Sequence, residues 1–129
     1  MTWLLDVSAL VAHLVQSHEH HARVNTWWPR RALAVCPITE LGFLRVTCAL
    51  GSTMENARSV LAEFFRDEAP TFIPCDRRAL ESAAITSARK STDIYLADLA
   101  AARGWQLATL DAGIVHPAAD LIPEVTVQA

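Results

Sequence analysis

The chain has 129 residues, the size of one ordinary domain, and 52% of them are hydrophobic, which provides for a core and excludes a disordered chain. Its net charge of −3 excludes a protein held to nucleic acid by charge alone, although an enzyme whose acids are neutralised by bound cations stays open. Cys36, Cys48 and Cys75 are scattered, with no C-x-x-C pair, which excludes a zinc ribbon or a thioredoxin-type site and leaves three thiols in a reducing cytosol. No charged-then-apolar leader opens the sequence, and no apolar run reaches the ~18–20 residues of a membrane span, so a soluble, cytoplasmic protein is expected.

Trp3-Leu4-Leu5 is a short apolar run that stops at Asp6, the pattern of a buried parallel strand. Ser8 is the expected cap of a helix over Ala9–Val15, and Glu19–Trp28 reads as a second helix closed by Pro29. Ala34–Cys36 is the next strand, followed by an apolar-rich helix over Ile38–Leu50 with Pro37 at its start and Gly51 at its end. A helix over Asn56–Phe65 and a strand over Thr71–Ile73 come next. Asp76 is expected to cap a helix running to about Ala88, and Ser91 or Thr92 one over Asp93–Ala102. Gln106–Leu110 reads as a strand ending at Asp111, and Val125–Val127 as a weak last strand. Strands alternating with helices predict an α/β fold with helices on both faces of a mainly parallel sheet, as a single domain over residues 1–129.

In such a sheet ligands bind beyond the carboxyl ends of the strands. Asp6 and Asp111 each directly follow a strand, and Glu40 and Asp93 each lie in the first turn of a helix that starts near the same rim. Four crowded carboxylates repel one another, and a hard divalent cation held by oxygen ligands, magnesium or manganese, removes that conflict. Such an ion lowers the pKa of bound water and supports attack on a phosphodiester. Taken one at a time, each acid also fits a turn or a helix-start role, and the pattern alone leaves both readings open.

The sequences around these acids decide between them. Leu4-Leu5-Asp6-Val7-Ser8-Ala9-Leu10, Ile38-Thr39-Glu40-Leu41, Thr92-Asp93-Ile94-Tyr95-Leu96-Ala97-Asp98-Leu99-Ala100 and Leu107-Ala108-Thr109-Leu110-Asp111 resemble, in order, the four blocks of the PIN-domain family. The likeness is to the VapC-like toxins of bacterial toxin–antitoxin pairs, and it spans residues 4 to 111. It implies a three-layer α/β/α PIN-like fold and a magnesium- or manganese-dependent endoribonuclease, inhibited by a cognate antitoxin and often a homodimer. Asp6, Glu40, Asp93 and Asp111 are carried over as catalytic metal ligands, with Ser8 and Thr109 supporting them by hydrogen bonds. Members often carry a basic or aromatic residue after the last aspartate, whereas Ala112-Gly113-Ile114 follows here.

Arg45, Arg89 and Lys90 are candidate RNA-phosphate contacts, each also readable as a solvent-exposed charge. Asp98 lies five residues after Asp93, about 140° round an ideal helix, which points it away from a shared ion. His18, Glu19, His20 and His21 read as a solvated face rather than a metal tract. Trp27 and Trp28 fit either an interface or the core. A phosphorylatable receiver domain is excluded because no adjacent acid follows Asp6 and no lysine follows Asp111; a D-x-D phosphatase is excluded because Ser8 stands at the third position. A PIN-like module that only binds a partner is the rival from another class, disfavoured because all four acids are kept.

Overall fold

The computed structural model describes residues 1–125. Five strands form the sheet: β1 (Thr2–Leu5), β2 (Ala32–Val35), β3 (Thr71–Phe72), β4 (Gln106–Thr109) and β5 (Ala119–Leu121). Their order is β3-β2-β1-β4-β5, and every neighbouring pair is parallel. Five helices complete the fold: α1 (Val7–Leu14), α2 (His21–Trp27), α3 (Pro37–Ala49), α4 (Met54–Glu68) and α5 (Ser91–Ala101).

The alternation of side chains along a strand divides the core between two faces. Leu5, Leu33, Val35 and Ala108 point to one side, where they pack against Leu10, Val24, Phe43, Leu61 and Phe64 of α1–α4. Leu4, Ala34 and Leu107 point to the other, against Leu96, Leu99 and Ala100 of α5. The three-layer α/β/α arrangement follows, with a sheet that is wholly parallel.

Several local expectations are corrected. Asp6, not Ser8, caps α1: its carboxylate accepts from the Ala9 N–H at 2.8 Å, and Ser8 instead donates its hydroxyl to Asp6 Oδ1. Neither Ser91 nor Thr92 caps α5; Lys90 stands at that position without a capping side-chain bond to the helix, and the Ser91 hydroxyl donates to Ala88 O. The helix expected over Asp76–Ala88 is an irregular loop with one 3-10 turn, Ala79–Glu81. Its apolar residues are mostly left in solvent, Leu80 being 84% exposed, so a helix there would gain little burial, and Asp76 is engaged by Arg103 at 3.0 Å. The last strand lies at Ala119–Leu121, where pairing with β4 holds a weakly strand-forming sequence. Thr126 and Val127 of the strand expected at Val125–Val127 lie outside the described residues. Trp27 belongs to the core, edge-on to Trp3, while Trp28 is half-buried and donates to Glu68 Oε1.

Candidate active site

β1 and β4 are neighbours, with Leu5 opposite Ala108, and the Asp6 N–H continues the ladder to Ala108 O at 3.1 Å. The first carboxylate therefore sits beside Thr109, at the carboxyl end of the two central strands. Asp6 is 2% exposed, and burial pushes its carboxyl from the usual 3.8 up to about 6. The hydroxyls of Thr109 and Ser8 and the Ala9 N–H oppose that rise, while the charge of Asp93 adds to it. Ser8 donates its hydroxyl to the Asp6 carboxylate at 2.8 Å, and Thr109 stands beside it at the end of β4.

Asp93, in the first turn of α5, is half-buried. Burial raises its carboxyl, Asp111 raises it further, and Lys90 pulls it down. Asp111 behaves in the opposite way. Lys90 Nζ donates to its Oδ2 at 2.8 Å and the Gly113 N–H to its Oδ1 at 2.8 Å, and these bonds hold its carboxyl below the usual range. The Asp111 N–H bonds the Thr109 hydroxyl at 3.0 Å, which fixes the turn after β4. The positive charge at the last aspartate thus comes from Lys90, in a separate segment. A Cβ on Gly113 would stand 3.0 Å from Lys90 Nζ and 3.1 Å from Asp111 Oδ1, so a larger residue there would press on the ion pair and make its side-chain ends shift slightly.

Asp6, Asp93 and Asp111 form an electrostatic series in which each acts on the next. Glu40 stands apart from it. It occupies the first turn of α3, and it lines an open cleft with Leu44, Arg58, Leu61 and Phe65. Its neighbour Thr39 is fully buried and donates to Leu5 O at 2.8 Å, which ties the start of α3 to the end of β1 beside Asp6. Among the described residues no three acid, histidine or cysteine side chains close on one point at metal-ligand spacing. Of the expected phosphate contacts, Lys90 bonds Asp111, Arg89 is exposed and close enough to lower the Asp111 carboxyl, and Arg45 is exposed on α3. Gly113 and Arg58 were not anticipated from the sequence: a main-chain donor leaves no residue-type signal, and Arg58 comes near Glu40 only through the packing of α4 on α3.

The PIN domain model matches residues 3–119, nearly the whole chain. The chain belongs to the PIN-domain family. Two curated relatives, both from Mycobacterium tuberculosis, extend the match. Ribonuclease VapC38 is 38% identical over 86% of each chain, and ribonuclease VapC29 is 35% identical over 98% of this chain and 100% of its own. The fold is shared with two solved structures. VapBC2 from Rickettsia felis, bound to a DNA fragment from its promoter, superposes with a TM-score of 0.60 at 13% identity, over 88% of this chain and 90% of that one. FitAcB from Neisseria gonorrhoeae gives 0.59 at 22% identity, over 88% and 89%. No helix among the described residues of this PIN domain is long and apolar enough to cross a membrane.

Proposed function

We propose that this PIN domain is the ribonuclease toxin of a toxin–antitoxin pair, cutting RNA phosphodiesters with the help of a divalent cation. The observation that carries the reading is a chain of carboxylates from three separate segments, the charge of Asp93 being felt at Asp6 and that of Asp111 at Asp93. The ribonuclease relatives, matched over nearly their full length, supply the reaction class.

The donor set fits magnesium or manganese by its chemistry. It is all oxygen, it is anionic, and its two innermost members are held above their ordinary pKa by burial and, to a lesser extent, by a neighbouring carboxylate, a conflict that a hard cation relieves. Asp6, Asp93 and Asp111 would hold the ion, with Glu40 reaching it directly or through water. When bound, the ion supplies an activated water and charge stabilisation at the phosphorus. The rest falls to the chain's own groups. Thr109 and Ser8 orient the Asp6 carboxylate, while Lys90 and the Gly113 N–H keep Asp111 ionised. Arg89 and Arg45 stand free to meet RNA phosphates.

The test is cleavage of total cellular RNA by protein stripped of any bound partner, with added magnesium or manganese, against Asp93→Asn. Discrete, EDTA-sensitive cleavage by the wild type alone is the expected result. A folded wild type that binds the metal but cuts nothing would move the reading to a partner-binding module. In the same proposal residues 1–129 act as one nuclease unit, a homodimer in the cytoplasm restrained by its antitoxin. Growth arrest on expression, relief by the antitoxin and a sedimentation mass of two chains are the corresponding expectations.

A further inference from the structure

Asp98 does not face the three rim acids. Its Oδ1 receives His116 Nε2 at 2.7 Å, and its Oδ2 is the acceptor of the Ser82 hydroxyl. The Ala118 N–H donates to His116 Nδ1 at 2.9 Å, so that nitrogen carries no proton and the ring is the Nε2–H tautomer, which can only donate to Asp98. Both partners are well covered, the side chains of His116 and Asp98 being 7% and 19% exposed. Burial pushes the Asp98 carboxyl up, but the bonds from Ser82 and His116 outweigh it and the net shift is downward. A carboxylate satisfied on both oxygens by two different loops is a clasp.

The two loops it joins are the two that dress Asp111. His116 belongs to the segment between β4 and β5, which also carries Gly113, the donor to Asp111 Oδ1. Ser82 belongs to the segment between β3 and α5, which ends at Lys90, the donor to Asp111 Oδ2. Neither loop has regular structure beyond one 3-10 turn. Asp98 itself is on α5, the helix whose first turn presents Asp93. One side chain therefore references both donors of one acid to the helix that bears another.

We propose that Asp98, through His116 and Ser82, is a positioning residue that sets the orientation of the Asp111 carboxylate relative to Asp93. It acts through Gly113 and Lys90 and touches neither RNA nor the reacting phosphorus. The inference rests on the nuclease reading for its kinetic consequence, but its structural consequence stands separately.

The experiment pairs RNA-cleavage kinetics with amide hydrogen exchange at Gly113, on the full chain. In Asp98→Ala the Gly113 amide should exchange faster, and kcat should fall by about tenfold to a hundredfold, the cost of an ångström-scale misplacement. KM for RNA should stay within about twofold, because the loss is of alignment and not of affinity. His116→Ala should reproduce most of this, and the double variant should be no worse than Asp98→Ala, since both break one connection. Asp98→Asn, which still accepts from His116, should retain most of the activity. A folded Asp98→Ala with wild-type kcat and wild-type Gly113 exchange would overturn the proposal. If Asp98→Ala does not fold, His116→Ala and Ser82→Ala read the two arms one at a time, and wild-type behaviour in both would also overturn it. If the wild type cuts no RNA, the nuclease reading fails, and Gly113 exchange alone still decides the clasp.

Discussion

Asp6 is asked to be a helix cap, a buried residue and an anion at once, and these demands conflict. Its carboxyl is raised from 3.8 to about 6, so the folded state binds its proton more tightly than the unfolded chain does. The associated stability is fully present below about pH 3.8 and is lost as pH rises through about 6. At pH 7.5 without added metal, Asp6→Asn should therefore be more stable than the wild type, by up to about 3 kcal/mol. Asparagine is an equally good helix cap, so the Ala9 bond survives. Denaturant titrations at pH 7.5 and pH 4 check this, the difference shrinking at the lower pH, and the variant should cut no RNA. Lys90→Gln is the complementary experiment. Lys90 lowers both Asp111 and Asp93, so its loss lets both carboxyls rise and should move the acid limb of the cleavage profile to higher pH. A profile that falls in height without moving would place Lys90 on the phosphate instead.

At the scale of elements, the rim depends on how closely α1 approaches α3. Gly42 in α3 is buried, and a Cβ there would lie 2.3 Å from Val7 Cγ2, far inside contact distance. Val7 is the first residue of α1 and β-branched, with little rotamer freedom to yield. Gly42→Ala should cost about 1–3 kcal/mol, as overpacking does, and should disturb Asp6 next door. Adding Val7→Ala should recover much of the loss, and a double-mutant cycle on unfolding free energies measures the recovery. Elements whose burial is written in their own residues were legible from the sequence: Trp3-Leu4-Leu5 stopping at Asp6, and Leu107–Leu110 stopping at Asp111. Elements fixed by partners were not. Ala119-Asp120-Leu121 is a strand because β4 offers an edge, and the segment after Asp76 stays irregular because Arg103, Tyr95 and Asp98 take its polar groups in place of a helix. The same division runs through the site. The four acids were legible as residues at strand and helix ends, whereas the donors that orient Asp111 arrive from segments 21 residues upstream and two downstream and carry no local signature.

For the whole molecule, the sheet order sets the ends of β1 and β4 side by side, with Asp6 and Asp111 just beyond them and Asp93 in the first turn of α5, while the chain between them builds most of the fold. A cation held there would cross-link the first strand, the helix behind the sheet and the fourth strand, so its binding free energy would add to the stability of the entire domain. At a hundredfold excess over Kd the gain is about 2.7 kcal/mol, enough to raise Tm by roughly 10 °C in a domain of this length. Manganese should produce that rise in the wild type, and EDTA should reverse it. Asp93→Asn should lose most of it, because Asp93 is the carboxylate that couples electrostatically to both neighbours, its charge felt at Asp6 and that of Asp111 felt at it. Arg103→Ala is the control: it breaks the exposed pair with Asp76 at the far end of the same helix, and should lower Tm slightly while leaving the metal-induced rise intact. A rise of equal size in wild type and Asp93→Asn would mean that manganese binds somewhere other than the rim, and the assignment of the metal to these acids would fall with it.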